Sequence, residues 1–162
     1  MYPIVEEAMK KAAIAWLTVP GQRRYPVWCL WLDGALHVVS GPGEQPAPGL
    51  ADATTAEVTV RGDHGGRIVT WPAAVERIEP GSGDWATIVP QLAGKRLNTS
   101  GTAEETGARW AAECAVSRLR PSGEPIAAGA TLPDDSEAAP PPPTPATRRP
   151  PNPFRLHRVR RR

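Results

Sequence analysis

Two apolar runs separated by a single dipeptide leave this chain few ways to fold. Val27–Leu32 and Ala35–Ser40 flank Asp33-Gly34, a pair that tolerates the positive φ angles of a type I′ turn. The stretch therefore predicts a tight β-hairpin. A two-residue turn also fixes register: Trp31 faces Leu36 and Cys29 faces Val38 on one side, while Leu30 faces His37 and Trp28 faces Val39 on the other. Both faces are apolar, unlike a hairpin with one face in water. Such a pair needs a barrel or sandwich interior on one side and a helix or a second subunit on the other. After the hairpin, Gly41-Pro42-Gly43 and Gly49 mark a loop that runs into Leu50.

The other elements fall around this hairpin. Pro3–Lys11 reads as a short helix with Ile4, Ala8 and Lys11 or Ala12 on one side. Ala12–Val19 follows as a strand that Pro20-Gly21 breaks. Val58 and Val60 alternate with polar residues in a strand over Glu57–Gly62. The polar Asp63-His64-Gly65-Gly66 turns it into Arg67–Ile78, where Pro72 predicts a bulge or an edge position. Asp84 is positioned to cap a helix carrying Trp85, Ile88 and Leu92, with Pro90 as a local conflict. Thr102 and Glu105 fit a capping box opening a helix through Trp110, and Glu113–Leu119 reads as a closing strand.

Composition bounds what remains. Of 20 prolines, 11 lie from Pro121 onward. Residues 121–147 form a Pro/Ala-rich stretch that cannot bury enough apolar surface to offset chain entropy, so a disordered linker is expected there. The net charge of +2 conceals an asymmetry: seven of the 19 basic residues lie in 148–162, leaving 12 against 17 acidic, a net of −5, in the rest. The division is thus a domain over 1–120, a linker over 121–147 and an Arg-rich tail over 148–162. The tail is either a solvated extension or an electrostatic contact for nucleic acid or acidic lipid, and Phe154 and Leu156 would also suit a docking motif.

Several function classes find no support. There is no G-x-S-x-G, no Walker-type phosphate loop and no dinucleotide fingerprint. Cys29 and Cys114 lie far apart in apolar runs, with no zinc-ligand spacing, and read as buried free thiols of a reducing compartment. The N-terminal residues carry Glu6 and Glu7 rather than a signal-peptide pattern, and the longest apolar run is far short of a membrane span. The expectation is a cytoplasmic protein with no membrane partner. His37, among Leu30, Trp28 and Val39, reads as a hydrogen-bonded core or interface histidine. Trp28, Trp31, Trp71 and Trp85 read first as packing residues, with stacking on a flat cofactor as the alternative.

In this order of elements, P-V-W-C-L-W-L-D-G-A-L-H-V-V-S-G-P-G followed by A-A-V-E-R-I-E-P and a Trp-containing helix resembles the FMN-binding split β-barrel, the pyridoxamine 5′-phosphate oxidase-like superfamily, over roughly residues 3–120. The resemblance implies a mainly β fold with peripheral helices and a homodimer with two sites at the subunit interface. Each site would hold FMN or the deazaflavin F420 for hydride transfer to a small molecule. By the same resemblance Val27, Trp28 and Cys29 lie along the isoalloxazine ring, and Ser40, Gly41, Gly43 and Gln45 approach the phosphate. The chain departs from the pattern where the family places Lys or Arg, just after this Ser-Gly segment: here stands Glu44. A carboxylate a few Å from a phosphate costs about 1 to 4 kcal/mol unless a cation offsets it. Arg61, Lys95 and Arg96, with Arg23 or Arg24, are the candidates. Two readings follow: a flavin- or F420-binding oxidoreductase, or a split-barrel dimer without cofactor that acts as a binding or structural protein. No catalytic residue and no metal site are assigned.

Overall fold

The computed structural model describes residues 2–62, 66–97 and 101–133. The Arg-rich tail, the turn residue His64 and most of the Pro-rich stretch lie outside the described residues. The chain runs α1 (Pro3–Lys11), β1 (Ile14–Thr18), β2 (Tyr25–Trp28), β3 (Leu30–Leu32), β4 (Ala35–Ser40), a 3-10 turn at Leu50–Asp52, β5 (Thr55–Arg61), β6 (Arg67–Arg77), α2 (Gly83–Lys95), α3 (Ala103–Glu113), β7 (Ala115–Pro121) and β8 (Ala127–Ala128). The fold is mainly β, and the sheet is antiparallel throughout, in the order β2-β1-β5-β6-β7-β4-β3, with β8 added to β6.

The hairpin forms as its turn dictates: Asp33 and Gly34 have φ of 50° and 70°, and Leu30, Trp31 and Leu32 pair with His37, Leu36 and Ala35. Its first strand is not continuous, however. It breaks at Cys29 into β2, which pairs with β1, and β3, which pairs with β4. The first and last strands of the sheet are thus two halves of one kinked strand, and this nearly closes the barrel. The gap is bridged by a side chain. Trp28 N–H donates to Gln45 Oε1 (2.7 Å), and Gln45 Nε2 donates to the carbonyls of Trp28 (2.8 Å) and Val39 (3.1 Å). Trp28 and Val39 are the next pair on the Leu30–His37 side of the hairpin register, two residues further along each strand, so the amide stands in for a missing rung of the ladder.

All six residues of β4 are buried, as the doubly apolar hairpin requires. One face joins the barrel core with Leu17, Val27, Val58, Val60, Trp71 and Leu119, to which α1 adds Val5, Ala8 and Met9. The stripe expected on α1 is thereby shifted by one residue, leaving Ile4 exposed. Outward-facing Val39, with Val116 of β7, packs under Ile88, Val89 and Leu92 of α2 and Trp110 of α3. The second cover is therefore a helix pair of the same chain.

Local chemistry explains the remaining boundaries. Ser82, not Asp84, caps α2, because its side chain accepts from Trp85 N–H (3.1 Å). Asp84 is drawn instead to Arg118 (2.7 Å). The capping box of α3 forms with Thr102 and Glu105. Pro72 sits mid-strand without a bulge; the register shift falls at Val60/Arg61. Its carbonyl accepts from Ser122 N–H (3.0 Å) just past the end of β7, so its ring nitrogen faces the same side, where Ser122 is exposed and water can take the place of the missing donor. The sheet continues past Pro121 through β8, which pairs with Val69 and Thr70.

Candidate functional site

The break at Cys29 opens the barrel wall, and a cleft of about 700 Å³ lies against it. It is lined by Trp28, Cys29 and Trp31, by the end of α1 with Lys11, and by Gly43, Glu44, Gln45, Lys95 and Arg96. The size falls within the range of small-molecule sites, and aromatic walls with a few charges are their usual lining. Lys11 and Lys95 are exposed and make no ion pair among the described residues. The charge balance of the cleft is positive.

Sequence-predicted residues divide cleanly. Trp28, Cys29, Gly43, Gln45, Lys95 and Arg96 meet at the cleft. Val27 is 1% exposed and points into the barrel core. Ser40 and Gly41 line a separate groove with Cys114. Gly41 is required there, because a Cβ would fall 2.9 Å from the Cys114 Cα. Arg61 lies on another face, its guanidinium 5.3 Å from the ring centre of Trp16. The Gln45 amide spends both its donor hydrogens on the barrel seam. Burial pushes the Cys29 thiol up to about 12, so it is not a nucleophile near neutral pH.

Glu44 is the largest departure from expectation. Its side chain is 1% exposed and turned inward, between α2 and α3. Arg96 Nε donates to Oε2 at 2.7 Å, and the Trp110 indole N–H donates to Oε1 at 2.8 Å. Arg109 Nη2 donates to the same Oε1. Burial works against the charged carboxylate, but the Trp110, Arg109 and Arg96 hydrogen bonds outweigh it and hold Glu44 below its ordinary range. The carboxylate thus faces the protein interior rather than an incoming phosphate. Its repulsion is cancelled by two guanidinium groups, and Glu44, Arg96 and Arg109 together carry one positive charge.

Arg109 and Trp110 escaped the sequence reading, where α3 was only a capped helix. A carboxylate in a Gly/Pro loop signals that a cation must come from somewhere. Nothing in the sequence distance from 44 to 109 says from where.

His37 is 1% exposed, and neither ring nitrogen makes a hydrogen bond, which corrects the expectation of a hydrogen-bonded histidine. Burial first, then the Arg118 charge, lowers it to about 4; the Leu30 carbonyl lies close enough to oppose this, though outside hydrogen-bonding geometry. Among the described residues no cluster of His, Cys, Asp and Glu could hold a metal, and no helix is long and apolar enough to cross a membrane.

No protein-family model matches the sequence, and no curated protein matches it. Solved structures do match in shape. The heme storage protein HutZ of Vibrio cholerae aligns over 76% of this chain and 92% of its own, with a TM-score of 0.55 at 14% identity. A candidate pyridoxamine 5′-phosphate oxidase of Listeria innocua aligns over 75% and 94%, with a TM-score of 0.51 at 11% identity. A candidate 5-nitroimidazole antibiotic resistance protein of Bacteroides thetaiotaomicron covers 74% and 78%, at 0.50 and 13%. The chain has the split β-barrel fold of the pyridoxamine 5′-phosphate oxidase-like proteins.

Proposed function

We propose that this chain binds a planar, anionic cofactor of the flavin type in the cleft beside Trp28, with FMN first and F420 as the alternative, and that it works as a homodimer on a small-molecule substrate. The observation that carries this reading is the convergence of Trp28 and Trp31 with Lys11, Lys95 and Arg96 around one cleft. Aromatic faces suit a flat ring system, and the lysines suit its phosphate or carboxylates. Lys11 and Lys95 would take the acidic group, because Arg96 is already committed to Glu44. When bound, such a cofactor supplies the hydride chemistry; the protein supplies position and charge.

The test is direct. Purified protein titrated with FMN or F420 should show the cofactor's visible bands retained through gel filtration. Lys11→Glu combined with Lys95→Glu should weaken retention at least about tenfold by charge reversal. No retained absorption with either cofactor would overturn the reading. Hemin is the useful third arm, since the Vibrio cholerae neighbour stores heme and heme too is flat and acidic.

A second reading, a split barrel without cofactor that serves as a binding or structural protein, is favoured by one observation: Glu44 occupies the arginines that stand nearest the Gly41–Gln45 turn. It predicts no retained absorption and an unchanged dimer. Light scattering on the same samples reports the oligomeric state.

A further inference from the structure

Arg96, Arg109 and Trp110 converge on one carboxylate with the geometry of an anion-binding site. Two guanidinium groups and one indole N–H, from the end of α2 and the middle of α3, point at the same two oxygens. The carboxylate belongs to the chain itself. We propose that these three residues form an oxyanion site whose resident occupant is Glu44, and that the site accepts an external carboxylate or phosphate group in exchange for it.

Three features separate this arrangement from an ordinary surface ion pair. First, the donors are held by more than Glu44. Arg109 Nη1 also donates to the Pro42 carbonyl and Arg96 Nη2 to the Gly43 carbonyl, both at 3.0 Å. The backbone of the turn therefore holds both guanidiniums in the aim they have now. Gly43 permits that approach, since a Cβ would lie 3.2 Å from Arg109 Nη1. Second, the site is buried where the charge sits and open behind it. Glu44 is 1% exposed and Trp110 is fully buried, while the arginine side chains are 21% and 34% exposed and line a cleft of about 510 Å³ with Pro42, Thr106 and the two acids Glu105 and Glu113. An anion can reach the guanidiniums from that side. Third, three donors converge on one carboxylate, a donor set that a free carboxylate or phosphate group also takes.

Exchange would not be silent. Glu44 precedes Gln45, whose amide closes the seam between Trp28 and Val39. Lifting Glu44 out pulls on the residue that holds Trp28, a wall of the main cleft. Occupation of the oxyanion site and the shape of that cleft are thereby linked through adjacent residues.

The test uses the full chain and simple anions. Glu44→Ala leaves a carboxylate-sized vacancy before the three donors. Its melting temperature should rise by about 4 °C or more in sodium acetate relative to sodium chloride at equal ionic strength, saturating with concentration. Wild type should respond in the same direction but only at higher acetate concentration, because acetate must first displace Glu44, and Glu44→Ala with Arg109→Ala should lose the response. If Glu44→Ala folds only in acetate, the inference is supported equally. A variant that melts alike in both salts overturns it. Should it fold in neither, Glu44→Gln decides, because a neutral amide competes poorly for two guanidiniums. Calorimetric titration with inorganic phosphate should then give binding at least about tenfold tighter than to wild type. Equal affinity overturns the inference. Neither probe is a flavin, so failure here and failure of the cofactor reading are separate results.

Discussion

Two ion clusters flank β4, and they are built in opposite senses. Beyond its end, a buried acid, Glu44, is held by two half-exposed arginines. Alongside it, a buried arginine, Arg118, lies across the ladder from His37 and is held by two exposed acids, Glu76 and Asp84, at 2.7 Å each. The Arg118 side chain is 9% exposed, its partners 52% and 61%. The difference lies in what each cluster could do without its centre. Glu76 and Asp84 can return to water with little motion. Arg96 and Arg109 are tied to the carbonyls of Pro42 and Gly43, and Trp110 has no water to turn to. Removing a buried charge matters chiefly through the partners it leaves behind.

Four measurements distinguish the two clusters. The largest effect should come from Glu44→Gln in chloride buffer. It should lose about 3 kcal/mol or more in urea unfolding, because two guanidiniums lose their counter-charge at a buried site. A loss below about 1 kcal/mol would show that the arginines rehydrate as freely as the acids do.

Acid titration should come next. Folded His37 binds its proton near pH 4. An unfolded histidine does so near its ordinary 6.5. Between these values the unfolded chain holds the extra proton, so stability is full above about 6.5 and drains as the pH falls toward 4. The whole change amounts to about 3 kcal/mol. Glu44 has the opposite charge but the same direction of shift. Its contribution is full above the ordinary carboxylate range and drains as the pH falls from that range toward the lower folded value, so it overlaps only the acid end of the histidine window. His37→Leu should flatten the slope between pH 6.5 and 4 and leave the lower step in place; an unchanged slope would mean that His37 is not the group responsible.

Arg118→Met should cost less than Glu44→Gln, about 1 to 2 kcal/mol, since the methionine retains the buried stem and the acids rehydrate. The smallest effect belongs to Glu76→Gln. Asp84 still pairs Arg118, so a thermal melt should move by no more than about 2 °C.

Much of the fold is legible in the sequence. The Asp33-Gly34 turn, the register it sets and the capping box of α3 are all local, decided by residues within a few positions of one another. What escaped was decided at a distance. The break at Cys29 follows from Gln45, which reaches back across the hairpin. The cap of α2 moved to Ser82 because Asp84 answers Arg118 on another strand. Pro72 needed no bulge because β7 happens to end beside it. The site divided along the same line. That Trp28, Gly43, Lys95 and Arg96 border one cleft accords with pattern and resemblance, whereas the inward turn of Glu44 depends on two residues of α3. A sequence shows that a buried charge must be answered, but not by whom.

The seam of the barrel has a kinetic meaning as well. Most barrels must bring together strands from the two ends of the chain, at the cost of closing a long loop. Here the strands that meet at the seam, β2 and β3, are already joined by Cys29. Their hairpin with β4 can form within about 10 microseconds. The slow, non-local step is the docking of β7 onto β4, Leu36 to Leu119 and Ser40 to Ala115. That same docking carries α3 toward the turn where Glu44 waits. The ring thus begins to form at its clasp, and the last part to arrive is the one that locks it.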